Sequence, residues 1–181
     1  MIGETIFDKV SMGGAMGTSR RLLPSSSTAR TQTGSKAINA TQLDGRYTLV
    51  TFIFTRCPVP EFCPAMMIRF ADLQAQVLDD VELRKRVRFL GVTLDPEFDR
   101  PDVLLAYANA MGVDPRVWRL VTGDPETVRA FSKAFSVHSE KQAGTIDHTL
   151  CTALIGPDRR VIELWRGNGW KTDEVFSALK T

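Results

Sequence analysis

Apolar residues are distributed along this chain in two regimes. Up to about residue 37 large apolar side chains are sparse while Ser, Thr and Gly abound, as in SMGGAMGTSRR and SSSTARTQTGS. Such a stretch buries too little surface to offset its ordering entropy, so residues 1–37 are expected to be a disordered arm and 38–181 a folded domain. Beyond the arm, continuous apolar runs alternate with segments of three- and four-residue periodicity. Asn39 to Arg46 is a polar approach with a turn at Asp44-Gly45. The run Tyr47 to Thr55 (YTLVTFIFT) is β-branched, aromatic and uncharged, which predicts a buried central strand. A loop with two cysteines and three prolines follows, and Pro64 suits the first turn of a helix because its missing N–H is harmless there. Met67, Phe70, Ala71, Gln74, Val77 and Leu78 then form one helical face with a single polar lapse.

Val87 to Leu94 (VRFLGVTL) predicts a second strand, and Pro101 to Met111 a second helix stopped by Gly112. Val117 to Val121 is a short strand, and Asp124-Pro125 has the cap chemistry for a third helix through Phe135. Leu150 to Ile155, a turn at Gly156 to Arg159, and Val161 to Trp165 read as an antiparallel hairpin; Thr172 is expected to cap a last helix ending near Lys180. Early strand and helix alternation demands a parallel crossover, and the hairpin adds antiparallel strands. The expectation is an α/β chain with a mixed central sheet flanked by helices, similar to the thioredoxin-like fold.

Composition narrows the functional classes. With 181 residues and 43% hydrophobic content the chain suits a single core. Its 23 basic and 21 acidic residues are too evenly balanced for a nucleic-acid binder. The basic run Arg84, Lys85, Arg86, Arg88 reads as a solvated helix end. No apolar run approaches the roughly 18 to 20 residues of a bilayer span, and no export signal is expected from the N-terminal pattern. Met12 to Gly17 repeats Met and Gly, but exposed methionines in a flexible arm are weak copper donors.

Candidate chemistry concentrates in TFIFTRCPVPEFCP, Thr51 to Pro64, which holds two of the three cysteines. Cys57 lies just past a strand and Cys63 just before a helix, with five residues between them. A helix start stabilises a thiolate, so Cys63 is expected to have a lowered pKa. Thiolates are also the preferred ligands of soft metals, above all Cu(I). Zinc is disfavoured, because two histidines and one further cysteine complete no second paired motif. A third ligand must come from far along the chain, and His148, before the strand at Leu150, is the candidate. His138 in VHSEKQ reads as a solvated loop residue, and Cys151, three positions after His148, as core on the opposite face.

These residues resemble the SCO/SenC family of copper-handling proteins, which share a thioredoxin-like fold. The resemblance covers about Tyr47 to Lys180 through TFIFTRCPVPEFCP, LGVTLDPEFDRPDVLLAYA and DHTLCTALIGPDRRVIELWRG. It implies that Cys57, Cys63 and His148 bind one copper ion, and that Asp95 supports the ligands rather than joining them. It further implies a cell-envelope or periplasmic location and delivery of copper to an apo copper protein, such as the cytochrome c oxidase subunit holding the copper-A centre. The usual family loop has three residues between its cysteines where this chain has five, which is similar to a divergent subgroup. Family members usually carry an anchor or export signal, and residues 1–37 show neither pattern.

The alternative is a thiol-disulfide oxidoreductase in which Cys57 and Cys63 are the catalytic pair, acting on a thiol-disulfide partner. Against it, GTIDHTL has His148 and no proline where thioredoxin-type reductases carry a cis-proline. A thiol peroxidase loop resembles Pro-x-x-x-Thr-x-x-Cys, whereas Val50 and Phe54 occupy the positions seven and three before Cys57. A metallochaperone rather than an enzyme is the expectation.

Overall fold

The computed structural model describes residues 29–31, 37–38 and 45–180. Most of the expected arm, Met12 to Gly17 included, and Asp44 of the expected turn lie outside the described residues. Within the arm two short strands occur, β1 (Ala29–Thr31) and β2 (Ala37–Ile38), paired antiparallel with each other.

Four further elements alternate as the periodicity requires: β3 (Tyr47–Ile53), α1 (Cys63–Asp79), α2 (Val81–Arg86) and β4 (Val87–Thr93). The break between the two helices was not legible as a boundary. Asp80 is extended, and its side chain accepts from the backbone N–H groups of Glu82 and Leu83 at 2.9 and 3.0 Å, so one residue ends α1 and caps α2. Three members of the basic run therefore close a helix of their own, Arg84, Lys85 and Arg86 in the last turn, where the dipole favours cations, whereas Arg88 lies half-buried in β4 and is not part of a solvated helix end.

α3 (Pro101–Ala110), β5 (Trp118–Thr122) and α4 (Pro125–Ala134) follow. Asp124 caps α4 through Thr127 N at 2.8 Å, as its sequence position predicts. Next come β6 (Ser139–Gln142), β7 (Thr145–His148), β8 (Cys151–Ile155), β9 (Val161–Arg166) and α5 (Thr172–Leu179). The cap of α5 is Lys171, with no side-chain bond, and Thr172 is already helical, which corrects the expected Thr172 cap. β6 and β7 were not foreseen either, because their exposed side chains hide a hairpin whose turn requires Gly144 at φ +84.

The main sheet runs β2-β1-β5-β4-β3-β8-β9. β3, β4 and β5 are parallel, while β8 and β9 are antiparallel, so the sheet is mixed. Its two faces bury separate cores. On one, Phe70 of α1 meets Phe89 and Trp118 at 5.6 Å between ring centroids, within a cluster that also holds Leu49, Ile53 and Val175. On the other, Phe52 stacks with Phe131 and Phe135 at 6.0 and 5.5 Å, over Val50, Val92 and Cys151. Since β3 is covered on both sides, its uncharged, β-branched and aromatic run, with only Thr48 and Thr51 as polar members, is what such a strand needs. Gly91 of β4 has no room for a side chain: a Cβ there would lie 2.6 Å from Leu120 Cδ2.

Candidate metal centre

β3 ends at Ile53, and its direction aims the next residues over the carboxyl edge of the parallel strands. Two turns then fold the cysteine loop back on itself. Cys57 N donates to Phe54 O at 3.3 Å, and Phe62 N to Val59 O at 3.1 Å. Ala65 N closes on Pro60 O at 3.1 Å. Cys63 then becomes the first residue of α1. From outside the loop, Asn168 Nδ2 donates to Glu61 O at 2.9 Å.

Cys57 and Cys63 are both free thiols, the first half-buried and the second buried. Cys57 Sγ approaches Val59 O at 3.8 Å, and the two thiols are near enough for Cys57 to disfavour a thiolate at Cys63. The expected lowering of Cys63 by the helix start is overturned. Burial drives its pKa up, the backbone at Phe54 opposes that without reversing it, and the charge of Cys57 adds to the rise. The reason is a thiol at 0% exposure among Phe54, Met66 and Met67, where desolvation of a thiolate outweighs the dipole.

His148, the last residue of β7, arrives from the other side. Its Nε2 lies 3.5 Å from Cys63 Sγ, and its ring meets Phe54 edge-on at 5.7 Å. Its Nδ1 stands 3.2 Å from Thr149 O, a carbonyl that only accepts, so Nδ1 carries the proton and the Nε2 lone pair faces the thiol. Burial holds its pKa below the ordinary value, which keeps the imidazole neutral. Of the three residues selected from the sequence, Cys63 and His148 are therefore in direct contact, and Cys57 lies close enough to Cys63 to influence its titration. Among the described residues no three His, Cys, Asp or Glu side chains are gathered closely enough to hold a metal ion together, so Cys57 is not assembled with the Cys63–His148 pair into a three-donor site.

His138 is exposed, as expected, though its carbonyl accepts from Thr149 N at 3.0 Å and so closes the β6–β7 hairpin. Cys151 lies in the opposite core, also as expected; a change of strand and sheet between His148 and Cys151 places it there rather than alternation along one strand. Burial pushes its thiol up to about 11.

Asp95 is buried and touches none of the three donors. Instead it pairs with Arg56 Nη2 at 2.7 Å, and the Arg56 guanidinium lies 3.8 Å over the Phe98 ring. Sequence reasoning missed its neighbour Asp99. That carboxylate is fully buried and accepts from Thr55 N at 3.1 Å and from the hydroxyls of Thr55 and Thr93, both at 2.5 Å. It thereby anchors Thr55, the second residue after the strand's end, where the cysteine loop begins. The only sequence signal was a second aspartate in DPEFDRP, two residues before a helix-starting proline. Tyr107 of α3 is the other unforeseen neighbour: burial, reinforced by the charges of Cys63, Cys57 and Asp99, pushes its phenol up to about 12.

A family model described as SCO1/SenC matches residues 28–181. The SCO1 protein homolog of Bacillus subtilis is 28% identical over 152 residues, spanning 81% of this chain and 76% of the relative. Among solved structures, BsSco, described with a disulfide switch as a member of the Sco family of cytochrome c oxidase assembly proteins, superposes with a TM-score of 0.71. It is 28% identical, over 84% of this chain and 88% of that one. ScoI of Bradyrhizobium japonicum, solved with copper bound, superposes with a TM-score of 0.70 at 24% identity, over 84% of this chain and 94% of that one. With most of its length matched by the family model and its sheet, cysteine loop and histidine hairpin in one arrangement, the chain belongs to the SCO1/SenC family.

Proposed function

We propose that this chain is a copper metallochaperone that assists assembly of a respiratory copper centre, the copper-A site of cytochrome c oxidase, with Cys57, Cys63 and His148 as its copper ligands. The observation that carries this reading is the 3.5 Å approach of Cys63 Sγ and His148 Nε2 with Nδ1 committed to Thr149 O. Metal bonds of about 2.3 Å to sulfur and 2.0 Å to nitrogen place two donors of one ion roughly 3.5 to 3.7 Å apart, so this pair needs almost no movement. Two thiols and a neutral imidazole are the donor set that soft copper prefers over hard cations.

The residues divide the work. Buried Cys63 and half-buried His148 supply a preformed pair, and half-buried Cys57 is the sulfur nearer to solvent. That order suits a cargo that must also leave, since a recipient's donor can displace the outermost ligand first. Both thiols must lose their protons to bind, so copper affinity falls with acid. The recipient is an apo copper protein, in this reading a cytochrome oxidase subunit, and the site of action is the periplasmic side of the cell envelope. Among the described residues no helix is long and apolar enough to cross a membrane.

Copper titration of the reduced chain tests the proposal. The expected result is one-to-one binding that is weakened by Cys57→Ala, Cys63→Ala and His148→Ala. One-to-one binding indifferent to all three substitutions refutes it. The metal-free oxidoreductase reading is less well supported, because a buried thiol with a raised pKa such as Cys63 is a poor attacking group.

A further inference from the structure

His148 rides on a unit that the main sheet does not hold. β6 and β7 form a two-stranded sheet of their own, hydrogen-bonded to none of the seven main strands. The register Ser139↔His148 ends the hairpin beside the thiols, and its other end turns at Gly144. Ile146 is buried in the core cluster that contains Cys63, which gives the hairpin an apolar pivot. Its rotation about that pivot has to be limited by something else.

Lys141 of β6 reaches across to Asp95 Oδ1 at 3.7 Å and to the carboxylate of Glu97. Asp95 gives its other oxygen, Oδ2, to Arg56 at 2.7 Å, and Arg56 immediately precedes Cys57. One buried carboxylate, with its side chain 4% exposed, thus takes a cation from the cysteine loop on one oxygen and a cation from the histidine hairpin on the other. The charges balance, two acids against two bases. Phe54, Arg56, Asp95, Lys141 and Ile146 line one small cavity at this junction.

We propose that Arg56, Asp95 and Lys141 form an ionic clasp that sets the distance between His148 and the two thiols, with Lys141 as a positioning residue for copper binding. The clasp rests on the reading of Cys57, Cys63 and His148 as the ligands. Lys141 touches none of them and acts through the hairpin. Because its side chain is 55% exposed, the Lys141 link is screened by salt, and its worth is that of a half-exposed pair with one buried partner.

The test is a double-mutant cycle on the reduced, full chain, using a chromophoric Cu(I) chelator as competitor. Lys141→Gln is expected to weaken Cu(I) binding about fivefold at low salt, the upper end for such a pair. Lys141→Arg keeps the charge and is expected to stay within about twofold of the parent. In a His148→Ala background, Lys141→Gln is expected to change nothing further, since the residue it positions is gone. Raising the salt to about 1 M should weaken the parent more than Lys141→Gln, which keeps only the Arg56–Asp95 half of the clasp. Thermal melts of the variants show that the fold is kept. A Lys141→Gln protein that binds as the parent does overturns the clasp while leaving the ligands standing, provided His148→Ala is impaired. An equal loss in both backgrounds overturns it as well, by showing that Lys141 acts elsewhere. A His148→Ala protein that binds as the parent removes the ligand reading and the clasp together.

Discussion

Asp99→Ala removes the acceptor on which the cysteine loop is hung. The carboxylate is at 0% exposure and takes three hydrogen bonds, from Thr55 N, Thr55 Oγ1 and Thr93 Oγ1. Hydrogen bonds to a charged group contribute about 1.5 to 3 kcal/mol each, so their loss costs at least about 4.5 kcal/mol. Against this, a buried carboxylate carries a desolvation penalty that the variant is spared, and Thr55 is half-buried, so water recovers part of what its groups lose. Thr93 is fully buried and recovers nothing from water. A net loss of about 3 kcal/mol follows, which for a domain of this size lowers Tm by roughly 6 to 12 °C. Urea melts of parent, Asp99→Ala and Asp99→Asn provide the measurement. They also carry a pH signature. Burial raises the Asp99 pKa above its unfolded value of about 3.9, with the hydrogen bonds from Thr55 and Thr93 pulling the other way. A raised folded pKa means that the folded state holds the proton more tightly, so the contribution is fully present below the unfolded pKa and is lost as pH rises through the folded one. The advantage of parent over Asp99→Asn should therefore shrink with increasing pH. An Asp99→Ala protein within about 0.5 kcal/mol of the parent, or an advantage over Asp99→Asn that grows with pH, refutes the argument.

Phe70→Ala empties the centre of the larger core, where the ring meets Phe89, Trp118 and Trp170, and should cost about 3 to 5 kcal/mol in urea melts without changing the donor set of the site. Cys151→Ala should leave the stoichiometry and affinity of copper unchanged, as read by titration of the reduced protein, because Cys151 belongs to the opposite core; its stability cost should be about 1 kcal/mol.

The alternation of apolar runs and helical faces was enough to set the order of the main elements and the mixed sheet, though not the α1–α2 break or the β6–β7 hairpin, because a strand covered on both sides must be uncharged and largely apolar and β3 is. Residue type and position were enough to nominate Cys57, Cys63 and His148, since soft donors at a strand-to-helix junction stand out in a chain with three cysteines and two histidines. What lay beyond the sequence depended on distance and burial. The helix start favours a thiolate at Cys63, yet the atoms around it decide the outcome, and periodicity does not say which loop will cover a helix N-terminus. The β6–β7 hairpin was hidden because its exposed polar side chains carry no apolar signal; it is held by backbone pairing, one buried isoleucine and the ion pairs of Lys141. Asp95 and Asp99 look alike four residues apart, and only the tertiary structure gives one to Arg56 and Lys141 and the other to Thr55 and Thr93. The sequence thus determined which atoms are available for chemistry. Long-range packing, which brings residues 85 apart to 3.5 Å, decided which of them meet and in what protonation state.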